Sequence, residues 1–213
     1  MADLKLLYDA ILTGKHKIAA EITHVAIEEK LEPKELIDNY LIKAMEEIGD
    51  RFEKQQAFVP ELLMAGRAMK ASLSLLQPLL KGDEATSQLG TIVIGTVKGD
   101  LHDIGKNLVG SMFEGCGFQV VDLGVDADSD KFVTAVKEHG ANLVGLSALL
   151  TTTMPYMKTI IEGLKAAGLR DKVKVMVGGA PVSSSFAEEI GADGYSDSAN
   201  SAVIKAKELL GVA

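Results

Sequence analysis

The sequence predicts an α/β protein in two parts, a bundle of four helices followed by a parallel β-sheet with helices on both faces. Residues 1 to about 80 show only the helical spacing of apolar side chains. From Thr91 onward, short β-branched runs alternate with amphipathic stretches, which is the pattern of a covered parallel sheet. A polar, glycine-flanked stretch, "KGDEATSQLG", separates the two parts and indicates a linker.

The helical elements follow one another with short connections. "LKLLYDAIL" predicts a first helix that ends at Gly14, and "HKIAAEITHVAIEEKL" predicts a second. Four apolar residues are expected near one face of this second helix: Ile18, Ile22, Val25 and Ile27. The third helix begins at Pro33, a favoured first position, and "VPELLMAGRAMKASLSLLQPLL" predicts the fourth. We therefore expect a helical bundle over residues 1–82 and a linker over 83–90.

The second part, residues 91–213, contains five strand-like runs that alternate with five helical stretches. The predicted strands are "TIVIGTV", "FQVVDLG", "ANLVGLS", "VKVMVGG" and "ADGYS". Five such units are typical of a flavodoxin-like (Rossmann-type) five-stranded parallel sheet with strand order 2-1-3-4-5.

Composition narrows the class of function. The net charge is -8, and residues 1–90 and 91–213 each carry 11 Lys+Arg and 15 Asp+Glu, so neither part has the excess of positive charge expected for binding nucleic acid. No run of about 18 apolar residues predicts a membrane span. The N-terminus lacks a signal-peptide pattern, which favours a cytoplasmic location. The single cysteine, Cys116, excludes a disulfide framework and is expected in the core.

Three unusual loops are expected to meet at one edge of the sheet. Ligands of open parallel sheets bind beyond the carboxyl ends of the strands, and strands 1, 3 and 4 are neighbours in the predicted order. Strand 1 is followed by "KGDLHDIGKN", strand 3 by "SALLTTTMP", and strand 4 ends in "GGAP". This edge therefore combines an imidazole between carboxylates, a series of hydroxyl groups and a glycine pair that lets a ligand approach the backbone.

Each of these features also has a purely structural explanation. A single loop histidine is usually a surface residue, a glycine pair is usually a turn, and Thr153 is placed to cap the following helix. Phosphate-binding and dinucleotide-binding glycine patterns do not match this sequence. A zinc site needs three or four ligands, and one histidine with nearby aspartates is too few.

The spacing of Asp100 and His102 suggests a more specific chemistry. Because Asp100 and His102 are two residues apart in a turn, the carboxylate can accept a hydrogen bond from one ring nitrogen. The lone pair of the other ring nitrogen then points outward. This is the arrangement that supports a metal-binding histidine. One protein ligand suffices only where the metal brings most of its coordination sphere with it, as in a macrocycle.

At these residues the sequence resembles base-off, histidine-on cobalamin-binding domains. "DLHDIG" matches their D-x-H-x-x-G signature, "SALLT" from Ser147 matches an S-x-L element, and the glycine pair at Gly178 matches a third. The stretch "IGDRFEKQQAFVPELLMAGRAMKASLSLLQPLL" resembles the helical cap of methionine synthase. The two-part layout is similar to the corrinoid proteins of methanol and methylamine methyltransferase systems.

The resemblance implies roles for individual residues. His102 would be the lower axial ligand of cobalt, Asp100 would hydrogen-bond its other nitrogen, and Thr153 would extend this relay where the family has serine. Ser147 and Thr151 would contact the displaced nucleotide tail, and Gly178 and Gly179 would line the slot for it. Ala199 would make a backbone contact near the last helix. Phe52 and Val59 would form the apolar cap over the upper face of the corrin. Within the matched motifs, the implied cofactor-binding residues also include Asp103, Gly105 and Leu149.

The implied function is a methyl carrier that is not a complete enzyme by itself. Its cofactor would be cobalamin or a related cobamide whose cobalt cycles between methyl-Co(III) and Co(I). A barrel-type, substrate-specific methyltransferase would load the methyl group, and a second methyltransferase would pass it to a thiol or tetrahydrofolate. A reductive activation protein is a further expected partner.

Two other functions remain open at this point. The first is the cobalamin-binding subunit of an adenosylcobalamin-dependent mutase, whose small subunits usually lack such a helical cap. The second is a cobalamin light sensor, which would need a DNA-binding domain. The upper ligand of cobalt, methyl or adenosyl, would distinguish them.

Overall fold

The computed structural model describes residues 1–80 and 89–212, so the predicted linker lies almost entirely outside the described residues. The chain divides into two compact units. We call the first the helical unit; its described part is residues 1–80, Leu89 and Ser111–Phe118. We call the second the sheet unit; its described part is Gly90–Gly110 and residues 119–212.

The helical unit consists mainly of four consecutive helical rods in its described residues. Its α-helices are α1 (Leu4–Leu12), α2 (His16–Glu28), α3 (Pro33–Leu36), α4 (Ile42–Glu53) and α5 (Val59–Leu76). A π-helical segment, Ile37–Leu41, joins α3 to α4, so these three pieces form one rod. A 3₁₀ turn, Gln77–Leu79, follows α5. The predicted four-helix bundle is confirmed, whereas the π-helical segment has no recognised sequence signal.

The predicted apolar face of α2 is wrong in part. Ile22 is buried, but Ile18 and Val25 lie on the surface. The buried face of α2 instead consists of Ala19, Ile22, Thr23 and Ala26. α2 packs against α5, and small side chains at helical spacing let two helices approach closely. The position of the residues on the helix therefore decides burial here, and hydrophobicity alone does not.

The sheet unit contains the predicted five-stranded parallel sheet. Its strands are β1 (Thr91–Thr96), β2 (Gln119–Asp122), β3 (Leu143–Ser147), β4 (Lys174–Gly178) and β5 (Gly194–Tyr195). Their order is β2-β1-β3-β4-β5, as predicted, and all neighbouring pairs are parallel. The helices that follow them in turn are α6 (Ile104–Gly115), α7 (Ser129–His139), α8 (Pro155–Ala166), α9 (Ser184–Ile190) and α10 (Ala199–Leu210).

Local signals in the sequence explain where several of these helices begin and end. Asp128, Ser183 and Ser198 accept hydrogen bonds from backbone N–H groups in the first turns of α7, α9 and α10. The same three helices end at glycines in the left-handed conformation, which L side chains rarely adopt: Gly140, Gly191 and Gly211.

The core of the sheet unit consists of buried strand residues and of a helix side chain packed on the sheet. Val93, Val144 and Val175 are completely buried in the sheet, and Phe132 of α7 is completely buried against it. A β-carbon at Gly95 would lie 2.8 Å from the Phe132 ring, so the ring packs directly on the strand backbone.

In the described residues, no helix is both long enough and apolar enough to cross a membrane.

A hydrogen bond inside the helical unit changes the pKa of a tyrosine. The Tyr8 hydroxyl of α1 donates to the Glu47 carboxylate of α4, and Glu47 also pairs with Arg51. Burial and this hydrogen bond raise the pKa of Tyr8 to about 12. Because the folded-state pKa is raised, the stabilisation is present below the ordinary tyrosine pKa of about 10 and is lost as the pH rises to about 12.

We expect the absorbance difference between wild type and Tyr8→Phe to appear near pH 12 in an ultraviolet tyrosinate titration. Glu47→Gln removes the negative acceptor and should move this step toward pH 10, because a charged acceptor no longer holds the proton. A difference curve already centred near pH 10 for the wild type would contradict the hydrogen bond.

Candidate functional site

The loop between β1 and α6 begins with a tight turn. The Asp100 N–H group donates to the Val97 carbonyl at 3.1 Å, and Gly99 within this turn has a φ of 80°. Glycine adopts such a backbone without steric cost, which explains its presence here. The Thr96 hydroxyl then donates to the His102 carbonyl at 2.8 Å. The loop is therefore folded back over the end of β1.

Asp100 is completely buried and organises the site. Its Oδ1 atom lies 2.9 Å from Nδ1 of His102 and accepts the His102 backbone N–H at 3.1 Å. Its Oδ2 atom accepts the backbone N–H groups of Leu149 at 2.8 Å and Leu150 at 3.2 Å, and the Thr153 hydroxyl at 2.8 Å. One carboxylate thus connects the loop after β1 to the loop after β3.

These hydrogen bonds keep Asp100 ionised. Burial by itself would raise the pKa of this carboxyl group, but the donors from Leu149, His102 and Thr153 outweigh burial and lower its pKa well below the usual range. An ionised carboxylate only accepts hydrogen bonds, so the His102 proton must sit on Nδ1. In this tautomer Nε2 carries the lone pair, and the His102 side chain is 53% exposed.

The hydroxyl of Thr153 lies within hydrogen-bond distance of Asp100 Oδ2 and of the Leu150 carbonyl, and it does not cap α8. A helix cap would accept an N–H hydrogen bond through its side chain, but the residue at the N-cap of α8 is Met154, which makes no such bond. Thr153 is buried, and its hydroxyl donates to Asp100. The relay of Thr153, Asp100 and His102 is therefore formed in this structure.

Other predicted residues lie at the same edge of the sheet. In the strand register, Thr96 pairs with Ser147, and Ser147 pairs with Gly178, so β1, β3 and β4 end at one level. Leu149 is half-exposed and contacts Asp100 through its backbone, whereas Thr151 is exposed in the same loop.

Four other predicted residues are not members of the relay. Asp103 is exposed and accepts hydrogen bonds from the backbone and side-chain amides of Asn107, at 2.7 and 3.1 Å. Ala199 is buried as the first residue of α10, which follows β5. In the helical unit, Phe52 is half-buried near the end of α4 and Val59 is exposed at the start of α5.

The glycines of the motifs have different reasons to be glycine. At Gly179, φ is 127° and a β-carbon would lie 1.9 Å from the Ala148 carbonyl oxygen, so the fold itself requires glycine. At Gly178 a β-carbon would lie 3.2 Å from the Ser196 carbonyl oxygen. At Gly105, in contrast, no described neighbour would lie within 4 Å and φ is not positive. Alanine would favour this helical position, so the fold gives no reason for its glycine.

Exposed apolar side chains occur in both loops of the site, after β1 and after β3. The exposed fractions are 71% for Leu101, 86% for Ile104, 43% for Leu149 and 42% for Leu150. Among the described residues, no group of three or more His, Cys, Asp or Glu side chains is placed to hold a metal ion. A lone imidazole within an apolar surface suits a metal whose other ligands belong to a large, partly apolar ring.

The sequence analysis missed the contribution of the segment after β2. Lys106, whose side chain is almost fully buried, lies 2.6 and 2.7 Å from the two carboxylate oxygens of Asp122, at the end of β2. Asp122 also accepts the Gly124 N–H at 2.9 Å. The signal in the sequence is "DLGVD", which brings two aspartates to the same sheet edge after strand 2.

A buried amide near the end of β4 was also missed. Asn200, in the first turn of α10, is buried, and its Nδ2 group has no hydrogen-bond partner among the described residues. The chain before α10 runs beside β4, where the Ser196 N–H approaches the Val177 carbonyl at 3.4 Å. A buried donor without a partner is uncommon in proteins and often marks a ligand or water contact.

The fold and the site together define a class of protein. A parallel α/β domain presents one imidazole, fixed by a buried carboxylate, at the edge where such sheets bind ligands. The comparisons agree with this class: a model described as "B12 binding domain" matches residues 90–204, and a second model with the same description matches residues 4–77.

Relatives along the whole chain specify the family. The chain is 47% identical to the dimethylamine corrinoid protein of Methanosarcina barkeri, over 97% of each chain. It is 33% identical to a cobalamin-binding protein of Desulfitobacterium hafniense DCB-2, with a TM-score of 0.80 over 98% of each chain. The methanol:cobalamin methyltransferase complex MtaBC of Methanosarcina barkeri gives 28% identity and a TM-score of 0.81, over 97% of this chain and 79% of the other. The chain therefore belongs to the B12-binding corrinoid protein family, and its cofactor is a corrinoid.

Proposed function

We propose that this chain carries a methyl group on a protein-bound cobamide between two separate methyltransferases of a methylamine or methanol system. The observation that carries this proposal is the exposed His102 ring, held in one tautomer by the buried Asp100 carboxylate. Two relatives support it, since one is a dimethylamine corrinoid protein and the other is a methanol:cobalamin methyltransferase complex.

Nε2 of His102 is the proposed cobalt ligand. Asp100 holds the proton on Nδ1, and Thr153 donates to Asp100, so the lone pair of Nε2 has a fixed direction. The apolar side chains of Leu101 and Ile104 would contact the ring system around the metal. Each of these residues fits a corrinoid whose nucleotide tail has left the cobalt.

The tail of the cofactor is proposed to lie at the ends of β3 and β4. Hydroxyl groups, glycine backbone and the first turn of α10 are available there, from Ser147, Thr151, Gly178, Gly179 and Ala199. The buried Nδ2 group of Asn200 adds a hydrogen-bond donor that suits a polar tail. The placement of Phe52 and Val59 over the upper face of the corrin stays a prediction.

When bound, the corrinoid supplies a metal that accepts and releases a methyl group. The chain's own residues bind the ring, orient the imidazole and hold a proton at Nδ1 of His102. A carrier needs separate proteins to load and unload it; a barrel-type methyltransferase, an acceptor-specific methyltransferase and a reductive activation protein are the partners that we propose.

A change at His102 tests the proposed ligand. With cobinamide, a corrinoid that lacks the nucleotide base, we expect His102→Ala to abolish the nitrogen superhyperfine splitting in the electron paramagnetic resonance spectrum of the Co(II) form, because no imidazole then reaches the metal. The matched control is His139→Ala, an exposed histidine at the end of α7. Identical spectra for wild type and His102→Ala would exclude His102 as the ligand.

A change at Gly105 tests whether the cofactor approaches the start of α6. Gly105→Ala should leave the apo-protein equally stable, or up to about 1 kcal/mol more stable because alanine favours a helix, yet weaken cobamide binding. Gly110→Ala, in the same helix, would place its β-carbon in an ordinary 3.7 Å contact with Val120 and should leave binding unchanged. Thermal melting and equilibrium titration measure the two effects. Unchanged cobamide affinity in Gly105→Ala would contradict the proposed approach.

Methyl loading tests the function itself. The holo-protein, reduced to Co(I), is mixed with dimethylamine, trimethylamine or methanol and the corresponding purified methyltransferase. We expect loss of the Co(I) absorbance only with a matched donor and methyltransferase, and with a methylated amine before methanol, because the dimethylamine relative is 47% identical and the methanol complex 28%. Failure with every pair, together with tight binding of adenosylcobalamin, would favour the mutase alternative.

A further inference from the structure

The segment between β2 and α7 continues along the last residues of β1 after β2 has ended. Its Leu123 N–H donates to the Ile94 carbonyl at 2.8 Å, and its Gly124 carbonyl accepts the Thr96 N–H at 3.0 Å. The Ala127 N–H then donates to the same Thr96 residue's carbonyl at 2.9 Å. This segment is therefore bound to the chain immediately before the His102 loop.

Asp126 lies at the centre of this segment in an unusual conformation. Its φ is 51°, and among the described residues only Lys30 and Gln55 share a positive φ without being glycine. Ordinary L residues rarely adopt the left-handed conformation, although aspartate tolerates it better than most. From this position the Asp126 carboxylate accepts the Gly99 N–H at 2.7 Å, and its own N–H donates to the Asp100 carbonyl at 3.1 Å.

We propose that Asp126 is a positioning residue for the cobalt ligand, and this inference rests on the proposed function of His102. Asp126 bonds the N–H of the peptide before Gly99 and the carbonyl of the peptide after Asp100, so it fixes the two peptide groups on either side of the Gly99–Asp100 bond. The loop after β3 fixes the Asp100 carboxylate. Asp100 is thus held at its backbone by one loop and at its side chain by another, and it in turn holds His102.

Aspartate at position 126 has two possible effects: its side chain accepts a hydrogen bond from the His102 loop, and its backbone adopts a positive φ. If only the backbone conformation mattered, glycine would be the better residue because it adopts a positive φ without cost. Aspartate adds an acceptor for the Gly99 N–H, and this acceptor is the part that acts on the His102 loop. Asparagine retains both features, since it tolerates the left-handed conformation and its side-chain oxygen accepts a hydrogen bond.

Three variants test this proposal in the full chain: Asp126→Gly, Asp126→Asn and, as a control, Asp171→Gly at an exposed aspartate in the 3₁₀ turn Arg170–Lys172. Apo-protein stability is measured by thermal melting and cobalamin affinity by titration. The His-bound fraction is measured by the nitrogen splitting in the Co(II) spectrum with cobinamide, which has no nucleotide base of its own. We expect Asp126→Gly to keep its melting temperature, lose about tenfold in affinity and show a smaller His-bound fraction. This loss is at the low end for partners of metal ligands, about 10–100-fold, because Asp126 acts through Asp100. Asp126→Asn and Asp171→Gly should match the wild type.

Several outcomes would overturn the positioning role. The His-bound fraction and the affinity of Asp126→Gly would be equal to those of the wild type if the hydrogen bond to Gly99 were unimportant. A fall in apo-protein stability large enough to explain the weaker binding would indicate a purely structural role, and a loss of the His-bound form in Asp126→Asn would show that the acceptor is not the determinant. If instead the wild type itself bound cobinamide without nitrogen splitting, the proposed role of His102 would fail, which is a separate result.

Discussion

The site depends on one buried carboxylate. Asp100 has no exposed surface, and it remains charged only because its two oxygens accept hydrogen bonds from a neighbouring ring, a hydroxyl group and three backbone amides. A buried charge without such donors would be strongly unfavourable. The same donors therefore stabilise the fold of two loops and fix the tautomer of His102, so stability and metal binding cannot be separated at this residue.

The parallel sheet makes this arrangement geometrically possible. Thr96, Ser147 and Gly178 are register partners at the ends of β1, β3 and β4, so the loops that follow leave the sheet at one level. The loop after β3 donates to Asp100 through residues 49 to 53 positions away in the chain. The segment after β2 completes the frame from the other side of β1, with Asp122 bound to Lys106 and Asp126 bound to Gly99.

Glycine occupies different positions of the site for different physical reasons. Gly179 is needed because the Ala148 carbonyl occupies the space of a side chain, and Gly99 because its turn has a positive φ. Gly105 meets neither condition, and its proposed contact with the corrinoid stays a prediction. Only the three-dimensional surroundings separate these cases, since the sequence shows glycine in all of them.

The sequence by itself determined the four-helix bundle, the order of the five strands and the loops that would meet, because apolar periodicity and the rules of parallel sheets are local or topological. It also indicated the pairing of Asp100 with His102, which are two residues apart. It predicted Ile18 and Val25 among the buried face of α2 incorrectly, because the partner helix determines which face is covered. It missed Lys106, Asp122, Asp126 and Asn200. The roles of these four residues depend on contacts or burial that arise only when distant segments pack. The tertiary structure alone therefore decided them.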